Sequence, residues 1–352
     1  MKKFFLILMV ALLVFSCKKE TKSDMVIKIP LVTWGGYAAL FAANNGAKPN
    51  KDSLFYKYGN FMVELIQEEN MALQLQGFAS GTYPIIWSTM DMLPLSYDSL
   101  SQDTRTIPKV IGVFDYSKGG DGIVVRNNIK NGADFKGKKI VTSQFSPSHF
   151  FLLWYLNENK FTTDDIKPIF TPDAIAAKDA FVADKGVDVC VTWSPFIYDI
   201  TDPAKKDSYI EGSSLLVTTA ESSPAYGLIA DVYLARTDFI QNNPQMVKAF
   251  TKAMIEGYDI FNGNKEKVAK EIADLFGIKG GVEEVMLMFG DVTIAGKTEN
   301  ISFFDDNNKF SGANIIKLAV DLYKKNGGVL KSDFNLDPNQ IIAKEFMMEA
   351  VK

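Results

Sequence analysis

Short β-branched runs alternate with helical stretches along most of this chain, and that alternation confines it to α/β architecture. Residues 26–33 read as a strand, 38–45 as a helix and 62–67 as a strand. A helix over 69–78 and a short strand over 84–88 follow, then extended segments over 109–116 and 121–126. A second α/β set runs through strand 139–143, helix 148–157, strand 166–170, helix 174–182 and strand 187–193. Segment 226–235 is extended again. The remainder reads as mainly helical, over 244–261, 265–276, 282–288, 313–325 and 341–351. Asn243 before Pro244 has the signature of an N-cap with proline in the first turn. Residues 47–60 break any period with Lys, Asn, Asp, Gly and Pro, so they read as a surface excursion. No internal repeat is visible.

The amino terminus stands apart from that pattern. Lys2 and Lys3 precede an uninterrupted apolar stretch over 4–15, and Ser16-Cys17 closes it as a processing site. Spanning a bilayer takes about 20 apolar residues, so 1–16 reads as a cleaved signal peptide outside the fold. Val14-Phe15-Ser16-Cys17 resembles the lipobox of bacterial lipoproteins, whose cysteine thiol receives a diacylglyceryl group. Residues 17–24 then form a polar, lipidated tether, and the mature chain is expected to be exported and anchored to the membrane by its lipid. Only Cys17 and Cys190 are present, so a lipidated Cys17 leaves no disulfide partner. Cys190 lies in the strand-like run Val187-Asp188-Val189-Cys190-Val191, where a buried, inert thiol is expected. Loss of 1–16 moves the formal charge from −4 to about −6, which argues against nucleic acid as a partner.

Short motifs punctuate the strand ends. Trp34-Gly35-Gly36-Tyr37-Ala38 follows the first strand, and Ser88-Thr89-Met90-Asp91-Met92-Leu93-Pro94 follows the third. Next come Asp115-Tyr116-Ser117-Lys118-Gly119-Gly120-Asp121-Gly122 and Asp134-Phe135-Lys136-Gly137-Lys138-Lys139-Ile140. Ser146-Pro147-Ser148-His149-Phe150 and Val191-Thr192-Trp193-Ser194-Pro195 complete the series. In this order and spacing the chain resembles the nitrate/sulfonate/taurine-type substrate-binding lipoproteins of ABC transporters. That resemblance implies the type II periplasmic-binding-protein fold, two α/β lobes joined by two crossovers with a ligand cleft between them. The crossovers would lie near 119–125 and 223–231. Lobe 1 would then be discontinuous, over 25–122 and 228–352, with lobe 2 over 123–227. The chain departs from the family pattern where Gly36-Tyr37 is followed by Ala-Ala in place of a proline-containing segment, and where 47–60 is longer than usual.

Ligands of open α/β sheets bind beyond the carboxyl ends of the strands, and small-molecule sites favour lobe interfaces. Trp34, Tyr37, Asp91, Tyr116, Asp121, Ser146, Ser148, His149 and Trp193 all fall at or just after such ends. Thr89 and Ser117 accompany Asp91 and Asp121 in their motifs, and Asp231 falls at the second crossover. Ser146 reads as the N-cap of a helix whose free N–H groups either hold a ligand oxygen or simply start the helix. His149 is the one histidine. It is either a hydrogen-bonded structural residue or a ligand contact, and with Cys190 as the other soft donor no metal is expected. No cofactor is expected either. With 26 Phe and 13 Tyr, most aromatic positions must be core. Trp34 and Trp193 differ because glycine or proline turns flank them, whereas Trp87 lies inside a strand and reads as core.

Asp91, Asp121 and Asp231 shape the ligand expectation. A buried carboxylate needs a partner. Each either caps a helix or pairs with a cation such as Arg126 or Arg236, or else faces a ligand rich in N–H donors or positive charge. Trp34 and Trp193 also suit a cation. The resemblance is strongest to branches associated with urea- or guanidine-like compounds, with a taurine-like aminosulfonate as the neighbouring possibility. It implies as partners a small-molecule ligand, an ABC permease and ATPase, and the membrane through the anchor, with the chain itself a monomer. Two other classes stay open: a membrane-tethered ligand sensor, and a pyrimidine-synthase-like enzyme of the same fold. The enzyme would need Cys190 and His149 as a nucleophile pair, and the position of Cys190 within a strand speaks against it.

Overall fold

Residues 25–126, 128–326 and 329–352 are described by the structure, a computed structural model. The signal peptide over 1–16, the tether over 17–24 and Cys17 lie outside the described residues. The strands run β1 Met25–Leu31, β2 Phe61–Gln67, β3 Ile85–Thr89, β4 Pro108–Ser117, β5 Asp121–Val125 and β6 Lys139–Ser143. They continue as β7 Lys167–Thr171, β8 Val189–Trp193, β9 Ser214–Thr218, β10 Ala230–Arg236 and β11 Val292–Ile294. In β3, β5 and β8 every residue is buried, as expected for short apolar strands with both faces covered by helices. β2 alternates between buried and partly exposed positions, the period-two signature of a strand with one wet face.

One sheet has the order β7-β6-β8-β5-β9 and another the order β11-β4-β10-β3, while the pair β1-β2 lies alongside β3. β6 is parallel to β7 and β8, and β5 is antiparallel to β8 and β9. Likewise β1 is parallel to β2, and β10 is antiparallel to β3 and β4. The two orders β2-β1-β3-β10-β4 and β7-β6-β8-β5-β9 therefore correspond strand for strand. The sequence shows no repeat, yet the topology is duplicated. The chain leaves the first sheet after Ser117 and enters the second at Asp121; it leaves the second after Thr218 and re-enters the first at Ala230. Each sheet thus contains one antiparallel strand that arrives from the other lobe.

Helices cover both sheets. Every residue of helix Ala38–Asn44 is buried, and it packs against helix Pro244–Gly263. A Cβ at Gly257 would stand 2.3 Å from the Ala39 carbonyl oxygen, so the bare glycine sets how closely these two helices approach. Several local expectations are corrected. Residues 47–60 contain helix Leu54–Gly59, capped by Ser53, whose side chain accepts from the Tyr56 N–H. At the carboxyl end, only Glu345–Ala350 is helical. Ile341 and Ala343 instead bond to Val110 at 2.7 and 2.9 Å, extending the sheet edge. The Asn243 side chain turns back to donate to the Phe239 carbonyl at 3.4 Å and does not cap the helix that follows. Among the described residues no helix is long and apolar enough to cross a membrane.

Candidate functional site

Strand register brings the polar residues together. Asp231 of β10 pairs with Thr89 of β3 on one side and Asp115 of β4 on the other. Paired residues share a face of the sheet, so Thr89, Asp231 and Asp115 form a polar row. On the second sheet Asp121 of β5 pairs with Trp193 of β8. Asp121 and Asp231 wall a cavity of ≈ 20 Å³ together with Trp34, Tyr37, Trp87 and Trp193. Val32, Pro147 and Ile229 complete it. That volume is room for about one water, because the lobes stand close together.

The aromatic walls also hold one another and the backbone. The Trp34 indole N–H donates to Asp115 Oδ2 at 3.0 Å, and the Trp193 indole N–H donates across the cleft to the Thr33 carbonyl at 3.0 Å. Tyr37 meets Trp87 edge-on at 6.2 Å and lies against Phe114 at 5.3 Å. Two glycines make room for Trp34. A Cβ at Gly36 would fall 1.8 Å from Asp115 Oδ2, and one at Gly120 would fall 2.2 Å from Trp34 Cη2. Trp87, expected in the core, is buried as expected and also forms part of the cavity wall.

Four carboxyls, Asp91, Asp115, Asp121 and Asp231, are buried here. Among the described residues none of them forms an ion pair. The two arginines considered as partners are engaged elsewhere. Arg236 pairs with Asp238 at 2.7 Å, and Arg126 donates to the carbonyls of Val187 and Phe181 at 2.7 and 2.6 Å. Burial pushes Asp121 up to about 7, with the charges of Asp91 and Asp115 adding to the effect. Burial likewise lifts Asp91 to about 7. Asp115 and Asp231 oppose each other across the sheet and cannot both ionise. Both are raised by burial, and Asp231 is raised further by the charge of Asp115.

The remaining candidates are spread around the cavity. Ser117 Oγ accepts from the Asp121 N–H at 3.1 Å and shares a hydrogen bond with Thr219 at 2.7 Å, so it braces the first crossing. Ser146 does start helix Pro147–Glu158: its hydroxyl accepts from the His149 N–H at 3.3 Å and donates to the Ser143 carbonyl at 2.7 Å. The hydroxyls of Ser148 and Thr89 and both oxygens of Asp91 are buried with no hydrogen-bond partner among the described residues, outside the cavity wall. His149 Nδ1 accepts from the Phe145 N–H at 3.3 Å, with its ring 4.9 Å from Phe170 and 6.0 Å from Tyr323. Burial pulls His149 down to about 4, so the ring is neutral. Asp115, which accepts from the Trp34 indole behind the cavity wall, is not among the site residues the sequence motifs single out. Its signal is a lone carboxylate inside the otherwise apolar run 110–116.

Two duplicated α/β sheets, exchanged strands and an aromatic cavity with two buried carboxyls between them define the periplasmic-binding-protein fold. Residues 55–267 match the family described as NMT1/THI5 like, and the chain belongs to that family. Its similarity to the taurine-binding periplasmic protein of Escherichia coli is 24% identity, covering 65% of this chain and 68% of that one. The crystal structure of the periplasmic aliphatic sulphonate binding protein SsuA from Escherichia coli superposes with a TM-score of 0.68. That match covers 92% of this chain and 93% of SsuA at 18% identity. The desulfurization enzyme DSZB has the same fold at a TM-score of 0.61 and 14% identity, covering 93% of this chain and 99% of that one. At such identities the structural likenesses speak for the fold alone.

Proposed function

We propose that this chain is an exported solute-binding protein of an ABC importer whose ligand is small and polar and offers several N–H donors or a positive charge. Guanidinium, urea and primary ammonium compounds, including aminosulfonates, meet that description. One observation carries the reading: Asp121 and Asp231 wall the cavity with Asp115 and Asp91 near them, and among the described residues no cation forms an ion pair with any of the four. A bare anion such as nitrate would find no counter-charge there, whereas a cation would draw the carboxyls into their ionised form and gain indole rings beside it. The taurine-binding relative fits the ammonium variant of the same chemistry.

In this reading lobe 1 comprises 25–122 and 228–352 and lobe 2 comprises 123–227, closing on the solute as a hinged pair. An enzymatic role has no support from the one available nucleophile pair. Cys190 is buried, its thiol pushed up by burial and directed at the Ala177 carbonyl at 3.8 Å, while His149 packs among Phe145, Phe170 and Tyr323.

The test is calorimetric titration with guanidine, urea, taurine, nitrate and an alkylsulfonate. Charge-assisted hydrogen bonds contribute roughly 1.5–3 kcal/mol, so Asp121→Asn and Asp231→Asn should each weaken the preferred nitrogen compound about ten- to a hundredfold. Tightest binding of nitrate, undiminished in both variants, would overturn the ligand class and leave the fold standing. The lipid anchor is proposed on Cys17, and Cys17→Ala should move the protein from the membrane fraction into the soluble one. Unchanged membrane partitioning of that variant would rule the anchor out.

A further inference from the structure

Beside the carboxylate cavity lies a second, much larger space of ≈ 520 Å³. Its walls come from both lobes: Met71, Ala72, Leu75 and Leu95 from one side, Phe145 and Phe170 from the other. Among the described residues no Asp, Glu, Lys, Arg or His lines it. Its polar groups are the uncharged side chains of Asn70, Gln74, Ser88, Ser96, Gln144 and Thr171. Among the described residues Trp87 is the one shared with the carboxylate cavity, and its indole N–H is buried with no partner among them. The two spaces thus differ in charge as well as size, with one walled by carboxylates and the other wholly neutral.

Phe145 supplies an independent sign of function. Its backbone has φ +60°, a left-handed conformation that bulky residues avoid, and such strain concentrates at ligand clamps. The strained turn holds a large apolar ring at 44% exposure beside Phe170 at 39%. The Phe145 N–H is fixed on His149 Nδ1, so the turn is anchored to helix Pro147–Glu158. Phenylalanine rings left open to solvent across from Met71 and Leu75 are an unfavourable way to end a lobe. They become favourable once an apolar body lies between them.

We infer that this groove is a second binding site, for a neutral small molecule with an aromatic or alkyl body and amide or hydroxyl groups at its rim. Its volume lies within the range of drug-sized ligand sites, which are mainly apolar with a few placed polar groups. Absence of charge in the wall selects against ions, because an ion would lose its hydration with no counter-charge in return. The site has walls from both lobes, so its occupant binds only when they are together.

The probe is N-phenylnaphthylamine, an uncharged fluorophore that brightens in apolar surroundings, titrated into the full chain. One saturable site per chain is expected. Phe145→Gly relieves the left-handed strain while removing the ring, and should weaken the probe about tenfold without lowering the melting temperature. Ala72→Glu places a charge in the groove at the favourable first turn of helix Met71–Ser80 and should weaken it at least as much. Asp121→Asn should leave probe binding unchanged. No saturable signal, or a signal indifferent to both groove variants, would overturn the proposal. Loss on Asp121→Asn would overturn it too, by showing that the probe reads the carboxylate cavity.

Discussion

An aspartate in an unfolded chain ionises near pH 4, whereas burial holds Asp91 and Asp121 protonated up to about 7. Between those values the folded chain keeps protons that the unfolded chain has released. The stability tied to these groups is therefore fully present below about pH 4 and is lost as the pH rises through about 7. Asp115 and Asp231 act in the same direction. Binding of a cation has the opposite dependence, since it needs the ionised carboxylates. In the ligand-free protein the melting temperature should fall between about pH 5 and pH 8. Affinity for guanidinium should rise across the same interval, and Asp121→Asn should flatten both trends. Calorimetry and thermal unfolding at matched pH check this, and level affinity across the range would remove the carboxylates from the site.

At the scale of elements, helix contact distances are set by small residues. Gly257 faces Ala39 and Ala43 of helix Ala38–Asn44, where even a methyl group has no room. Gly257→Ala should cost about 1–3 kcal/mol through overpacking. Gly263, at the end of the same helix, has nothing within 4 Å of a would-be Cβ. Gly263→Ala should be neutral or stabilising by up to about 1 kcal/mol. Chemical denaturation of the two variants separates a packing effect from a general intolerance of helix Pro244–Gly263.

The elements legible in the sequence were those whose apolar runs are long or sharply bounded. Helix Pro244–Gly263 starts at its proline, and β8 ends at Trp193-Ser194-Pro195. Helix Leu54–Gly59 has six residues, too few to display a 3.6-residue period. Strand β9, with no fully buried residue, carries little apolar signal of its own and is held by pairing with β5. The site divided in the same way. Trp34, Tyr37, Asp121, Trp193 and Asp231 stand at strand ends, and these are the candidates that line the cavity. Ser146 and His149 also stand at a strand end, but their hydrogen bonds run within lobe 2. Asp115 depends on which strand lies beside β4, a non-local pairing that no local pattern reveals.

For the whole molecule, the lobes are joined by apolar packing of helix Gly312–Lys325 on helix Pro147–Glu158, with Tyr323 6.1 Å from Phe150, and by a set of polar contacts. Lys205 pairs with Glu284, the Tyr198 hydroxyl donates to Asp291, and the Trp193 indole reaches Thr33. Each joins the 123–227 segment to the rest of the chain. Lys205→Ala combined with Tyr198→Phe should favour separated lobes, seen as a larger radius of gyration in small-angle scattering without ligand. Apparent affinity should fall in proportion to the closed fraction, on the order of tenfold if one molecule in ten remains closed. Unchanged scattering and affinity would show that these bonds do not govern closure.

The exchanged strands have a mechanical consequence. Asp121 is the first residue of β5 and Asp231 the second of β10, so each cavity carboxylate sits where the chain has just crossed from one sheet into the other. A solute gripping both is clipped to the two threads on which the lobes turn. Under the proposed hinge closure, points on those threads move least as the lobes swing apart, so the solute would keep its footing on both while the rest of the cleft opens around it.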